Sequence, residues 1–153
     1  MRAVIQRVSK ASVEIDNKLI GEIGMGFVVL LGITLDDDLE DAEYLAAKTA
    51  NLRIFEDDLG RMNVSLLEKR GEILAISQFT LYSETRKGRR PSFIKAAQPE
   101  KAEPLYNSYI KCLKDFNIKV VTGIFGAMMM VNIHNDGPVT IIIDSTDRHR
   151  PRK

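Results

Sequence analysis

Short runs of apolar and β-branched residues dominate the hydrophobic pattern of this chain and predict a protein rich in strands. β-Branched residues recur over 4–15, and residues 17–18 are typical of a turn into a second run at 19–23. After a glycine-containing break at 24–26, the unbroken apolar run 27–31 predicts a strand that is buried on both faces. Further strand-like segments follow at 64–67, 73–81, 118–122, 127–133 and 139–144.

Two segments carry apolar residues at helical spacing instead. The first covers 39–52, and three aspartates at 36–38 offer it an N-terminal cap and negative charge. The second covers 102–116, and we expect Pro104 in its first turn, where the missing N–H does no harm. Cys112 lies on this second helix, where we expect a small core residue.

These elements predict the α+β fold class. We expect a single domain over 1–153, with a curved, barrel-like, mostly antiparallel sheet and two main helices on one side. No internal repeat or linker divides the 153 residues, which end in a basic tail at about 146–153. Charge appears too early for a secretory signal, and no apolar run approaches the roughly 20 residues of a membrane span. We therefore expect a cytoplasmic protein.

The amino-acid composition limits the kinds of chemistry that the protein can carry out, and it says less about the fold. One cysteine and two distant histidines offer neither an intrachain disulfide nor a zinc ligand cluster, so we expect no metal and no cofactor. The net charge of +1 excludes a uniformly basic nucleic-acid coat protein but allows a local basic patch. We expect His134 on the exposed side of a half-buried strand and His149 in a mobile tail.

Polar residues end the strand predicted at 73–81. Alternation places Gln78 and Thr80 on one face and Ser77 and Phe79 on the other. Such residues either deliver side chains to a pocket at the end of the sheet or mark where the strand leaves the core. The pattern leaves both interpretations open.

Two other segments are candidates for substrate contact. Residues 135–138, Asn-Asp-Gly-Pro, predict a hairpin turn between two strands, and Gly137 lacks the Cβ that would keep a ligand away. The segment 84–91 contains basic residues and directly follows the polar strand end. These are Arg86, Lys87, Arg89 and Arg90. With the basic tail they form either phosphate-contacting arms or an ordinary solvated surface.

Read in order, these segments resemble the D-aminoacyl-tRNA deacylase family. The resemblance spans nearly the whole chain, with its motifs at 1–8, 77–81, 87–93, 122–127 and 135–140. It implies hydrolysis of the ester that joins a D-amino acid to the 3′ adenosine of tRNA. It also implies cleavage of glycine from mischarged tRNA.

The resemblance further implies a homodimer with active sites at the subunit interface. The bond between Gly137 and Pro138 would be cis, and this pair would enter the partner's site and exclude an L side chain. Residues 77–81 would form the opposite wall, with the basic segment contacting tRNA.

The chemistry then depends on few groups. The N–H groups of Phe79 and Thr80 are candidate donors to the developing oxyanion. Thr80 is either a nucleophile or a positioning group. We favour positioning, with the terminal 2′-hydroxyl of tRNA helping to activate water, because an unassisted threonine hydroxyl is a poor nucleophile.

A non-catalytic RNA-binding module and a general small-ester hydrolase are the alternative functions. The role of Arg7 stays open.

Overall fold

The computed structural model describes residues 1–86 and 88–150, and its main sheet is built around one long strand. Within those residues the strands are β1 (Arg2–Ile15), β2 (Lys18–Ile23), β3 (Gly26–Gly32), β4 (Arg53–Glu56), β5 (Met62–Ser65), β6 (Glu72–Ser77), β7 (Val120–Thr122) and β8 (Met130–Asp144). The helices are α1 (Leu39–Asn51), α2 (Leu66–Lys69) and α3 (Pro99–Asp115), with 3₁₀ helices at Phe79–Tyr82 and Ser145–His149.

The long strand β1 pairs antiparallel with three others. It pairs with β8 along one edge and with β3 and then β2 along the other. The strands β3, β6 and β7 continue the sheet in parallel, while β4 and β5 form a separate antiparallel pair. The mixed sheet nearly closes, since a Cβ on Gly21 of β2 would lie 2.4 Å from Cγ1 of Val121 in β7. The predicted curved, barrel-like and mostly antiparallel sheet is therefore confirmed.

Both main helices cover one face of this sheet. Alternate residues of β1 and β3 pack against α1 and α3 in one core cluster, to which Ile5, Val29 and Leu45 belong. A second cluster, with Val28, occupies the opposite face. Burial on both faces of the run 27–31 is thus confirmed for its central residues, and this strand anchors the sheet.

Local sequence signals predicted the start of α1 correctly but misplaced the start of α3. Asp38 caps α1 through a reciprocal capping box with Asp41, as the run of aspartates predicts. The expected place of Pro104 is wrong, because α3 begins at Pro99 and Pro104 falls in its second turn. Its missing N–H leaves the Glu100 carbonyl without a helical donor, which is tolerable because both residues are exposed to water.

Other boundaries also differ from the prediction. The segment 64–67 divides between β5 and the short helix α2, and β6 ends at Ser77 rather than at residue 81. In the tail, where we expect His149, residues 145–149 form a 3₁₀ helix. Arg148 anchors it to α1, with its Nη1 3.1 Å from the Glu40 carboxylate.

The described residues lack two features that are typical of other classes of protein. None of their helices is long and apolar enough to cross a membrane. They also contain no group of three His, Cys, Asp or Glu side chains arranged to hold a metal ion. Cys112 is half-buried against the core, and burial raises the pKa of its thiol.

Candidate functional site

The polar motif 77–80 lies where the buried strand β6 turns away from the sheet. The Gln78 N–H donates to the Leu31 carbonyl of β3 (2.8 Å), and a 3₁₀ helix then begins at Phe79. Its first internal hydrogen bond runs from the Leu81 N–H to the Gln78 carbonyl (3.3 Å). The N–H groups of Phe79 and Thr80 precede that bond and are not used within the helix.

The side chains of Gln78 and Thr80 meet because the chain turns after β6, and not because they alternate along a strand. Because the strand ends at Ser77, the prediction that Gln78 and Thr80 share a strand face is wrong. The turn nevertheless brings them into contact, and Gln78 Nε2 donates to Thr80 Oγ1 at 2.5 Å. Phe79 is 55% exposed and packs edge-on against Phe93, with 5.0 Å between ring centroids. The motif therefore presents two polar groups and one aromatic ring at the end of the sheet.

The Gly137–Pro138 segment is an outward loop within β8. In the pairing of β1 with β8, Gln6 lies opposite Thr140 and Val8 lies opposite Asn135. Residues 136–139, the Gly-Pro loop, therefore face Arg7 alone. The expected hairpin is wrong, because the chain continues along β1 in the same direction beyond the loop. The expected cis bond between Gly137 and Pro138 is confirmed.

Arg7 contacts the Gly-Pro loop from underneath. Its side chain is only 8% exposed, and its Nη1 donates to the Ile54 carbonyl (2.6 Å). Its Nε donates to the Asp136 carbonyl at 3.1 Å. A Cβ on Gly137 would lie 3.0 Å from Arg7 Nη2. The sequence carried one signal of this role, since alternation puts Arg7 on the buried face of Ile5.

One chain does not bring the two motifs together. Arg2, near the start of β1, donates to the Leu81 carbonyl beside the first motif (3.2 Å). Arg7, which holds the Gly-Pro loop, lies five residues further along the same strand. That spacing corresponds to roughly 17 Å along a strand. Within one chain the two motifs are therefore separated by about this distance.

The basic loop (84–92) is closed at its base, and its described arginines are exposed. Glu84 and Ser92 exchange backbone hydrogen bonds of 2.8 and 3.0 Å. The Arg86 guanidinium lies 2.7 Å from the Glu84 carboxylate and lowers the pKa of that carboxyl to about 2. Arg89 and Arg90 are exposed, and no ion pair among the described residues involves either. The predicted contact residue Lys87 and the tail residues 151–153 lie outside the described part.

The two histidines stay away from both motifs. His134 is exposed and pairs with Lys10 on the outer side of β8, as predicted for a surface histidine. His149 accepts a hydrogen bond from Arg148 Nε (2.9 Å) in the C-terminal 3₁₀ helix. Neither imidazole contacts Thr80 among the described hydrogen bonds, so the arrangement resembles no serine- or threonine-histidine pair.

Comparison with known proteins matches the chain over nearly its full length. Residues 4–144 match the sequence model of the family described as D-Tyr-tRNA(Tyr) deacylase. A D-aminoacyl-tRNA deacylase of Dehalococcoides mccartyi (strain ATCC BAA-2100) is 58% identical over 152 residues, 99% of each chain. One from Clostridium kluyveri is 59% identical over 145 residues, covering 95% of this chain and 97% of the relative. Among solved structures, the c-Myc DNA Unwinding Element Binding Protein aligns with a TM-score of 0.88 and 44% identity, covering 94% of this chain and 98% of that one.

Proposed function

The chain belongs to the D-Tyr-tRNA(Tyr) deacylase family, and on that premise we propose that it hydrolyses the ester between a D-amino acid and the 3′ end of tRNA. The observation that supports this proposal best is the pair of motifs beside β1. The motif 77–80, which has free backbone donors, lies near the start of β1, and the Gly-Pro loop lies near its middle. The proposal includes cytoplasmic location and release of glycine from mischarged tRNA. Rejection of L-aminoacyl-tRNA is part of the same proposal.

We propose a homodimer whose active sites lie between subunits. The separation of the two motifs along β1 supports this arrangement, because the Gly-Pro loop of one chain then faces the 77–80 motif of the other. An apolar row on the sheet face opposite the helices also supports it. Leu30, Val4 and Ile142 lie side by side across three strands, and Ile142 is 66% exposed. A monomer by light scattering at micromolar concentration would contradict the dimer.

Catalysis in this proposal depends on backbone donors rather than on an imidazole or a metal. The N–H groups of Phe79 and Thr80 stabilise the developing oxyanion, where losing one donor typically costs about 10²–10³ in rate. Thr80 positions the substrate. The side chain that contacts Thr80 Oγ1 is the amide of Gln78, and a neutral amide is too weakly basic to take the hydroxyl proton. The terminal 2′-hydroxyl of tRNA then assists the attacking water.

Selectivity in this proposal is steric. Gly137 and Pro138 are exposed, so their main chain is available to a substrate held by the partner subunit. An L side chain would collide with this main chain, while a D side chain points away and glycine has none. Discrimination by a clash against the wrong substrate needs a loop that does not yield.

The substrate's RNA is proposed to lie against the basic loop. Arg86, Lys87, Arg89 and Arg90 follow the 77–80 motif directly in the chain, so phosphates near the acceptor end would meet them. The near-neutral net charge of the whole chain supports local rather than general RNA contact.

The experiment that tests this function compares two substrates. Purified protein is incubated with D-Tyr-tRNA and L-Tyr-tRNA, and the remaining ester is measured over time. We expect loss of the D ester and survival of the L ester. Equal survival of both with tight tRNA binding would indicate a binding module, and cleavage of D-tyrosine ethyl ester at a similar rate would indicate a small-ester hydrolase.

Thr80→Ala separates the two roles of that side chain. A positioning group leaves appreciable activity, with kcat/KM reduced by about 10- to 100-fold, the usual scale for misplacing a reactant. Gln78→Ala serves as the matched variant, because it removes the partner of Thr80 and keeps the hydroxyl. Loss of all activity in Thr80→Ala, with the fold and tRNA affinity intact, would indicate a nucleophile.

A further inference from the structure

A single side chain joins the two ends of the Gly-Pro loop. Asn135 Oδ1 accepts the Val139 N–H at 2.9 Å, where the chain returns to the strand. Its Nδ2 donates to Thr140 Oγ1 at 3.1 Å. Thr140 Oγ1 also accepts from Gln6 Nε2 of β1 at 3.3 Å. One amide therefore uses both of its functional atoms at the base of the loop and connects that base to β1.

The loop needs such a connection because the ladder between β1 and β8 is interrupted there. Four residues of β8 face Arg7 alone, so the regular strand hydrogen bonds cannot hold them. Val139 is 7% exposed and packs in the core, whereas Gly137 and Pro138 are exposed. Arg7 holds the outgoing end at Asp136, and Asn135 holds the returning end at Val139.

We propose that Asn135, with Thr140 as its partner, is the positioning residue that sets the discrimination between D- and L-aminoacyl esters. Its side-chain hydrogen bonds go to Val139 and Thr140 at the base of the loop, so it acts through the placement of Gly137 and Pro138. The inference rests on the proposed function and assigns selectivity to a side chain behind the loop. Without this amide, the loop moves away from an L side chain and admits it.

The test measures kcat/KM for D-Tyr-tRNA and for L-Tyr-tRNA in wild type and variants, with tRNA affinity and melting temperature alongside. Asn135→Ala should lower the D-to-L ratio by about 10- to 100-fold, the scale expected when a positioned group shifts by about 1 Å. Thr140→Val should lower it less, because the bond from Val139 to Asn135 survives. In the double variant the effects should not add, since both belong to one network. Affinity for tRNA should be unchanged throughout.

Asn132→Ala is the matched control. Asn132 lies on the same strand, and its Nδ2 donates to Ser12 Oγ (3.2 Å) and Glu14 Oε1 (2.9 Å), away from the loop. We expect it to keep the wild-type ratio. An unchanged ratio in folded Asn135→Ala, or an equal fall in Asn132→Ala, would overturn the inference.

Two further results are decisive. If Asn135→Ala does not fold, Thr140→Val decides the inference. The wild-type Thr140 hydroxyl is exposed, so the groups that donate to it can bind water instead and the variant should fold. An unchanged D-to-L ratio in Thr140→Val would overturn the inference. A wild-type protein that leaves D-Tyr-tRNA intact overturns the proposed function itself, a result distinct from a discriminating enzyme with an indifferent Asn135.

Discussion

The Gly-Pro loop and the basic loop are both proposed to meet the substrate, yet the fold holds them in opposite ways. The Gly-Pro loop is tied at both ends, by Arg7 and by Asn135, and its return point is buried in the core. The basic loop is tied at its base by Glu84 and Ser92, while Arg89 and Arg90 extend into solvent.

The difference teaches what each kind of recognition requires. Steric discrimination between mirror-image substrates depends on atoms that stay within a fraction of an ångström of their place. Attraction between guanidinium groups and phosphates acts over several ångströms and tolerates movement. Changes to the Gly-Pro loop should therefore act on selectivity and turnover, and changes to the basic loop on affinity and its salt dependence.

The largest effect is expected from Gly137→Ala. A Cβ there would lie 2.7 Å from Val139 Cγ2, and φ is +128°, a conformation that residues with side chains rarely adopt. The loop must shift, and we expect kcat/KM for D-Tyr-tRNA to fall by about 100-fold or more, with unchanged tRNA affinity.

Gly60→Ala is the control for this variant. Gly60 also has a positive φ (+71°), but nothing lies within 4 Å of a Cβ there. Single-turnover deacylation and thermal melting should show that Gly60→Ala keeps full activity despite its backbone strain. Comparable activity losses in the two variants would remove the special role of the Gly-Pro loop.

A smaller effect of a different kind is expected from Arg89→Ala combined with Arg90→Ala. The affinity for tRNA should fall, and the slope of log affinity against log salt should become shallower by about 1 for each phosphate that is no longer neutralised. The rate constant at saturating tRNA should stay the same. Lys69→Ala combined with Lys114→Ala, which removes two exposed cations on α2 and α3, serves as control for net charge. A changed D-to-L ratio in the arginine variant would contradict the assignment of affinity to the basic loop and selectivity to the Gly-Pro loop.

The smallest effect is expected from Glu84→Gln, which tests whether the basic loop is partly neutralised by its own carboxylate. Glu84 pairs with Arg86 and so competes with phosphate. Its removal should raise tRNA affinity by up to about fivefold, as befits an exposed ion pair.

The pH dependence of that effect follows from the lowered pKa of Glu84. A carboxyl with a folded pKa of about 2 keeps its charge, and its pairing with Arg86, down to strongly acidic pH. The affinity gain of Glu84→Gln should therefore be constant between pH 5 and 8 in filter-binding measurements. A gain that disappears toward pH 5 would contradict this pairing.

Several features of the fold are determined locally and are predictable from the sequence. The cap of α1 depends on Asp38 and Asp41, three residues apart, and the run 27–31 is apolar enough to be buried whatever packs on it. The segments at 77–80 and 137–138 are also recognisable, because their order and spacing resemble a known family. Local chemistry suffices for the cap and the buried strand, whereas the two segments are recognised only through the resemblance.

Other features depend on partners far away in the chain, and only the tertiary structure decided them. The predicted hairpin at 135–138 became a loop because both halves of β8 pair with the same strand, more than 110 residues earlier. Arg7 is buried because the carbonyls of Asp136 and Ile54 meet it there. By itself the sequence determined the two main helices and most of the strands of the main sheet, since periodicity and capping act over a few residues. Which strand lies beside which, and hence which side chain holds the Gly-Pro loop, depends on long-range pairing that no local pattern records.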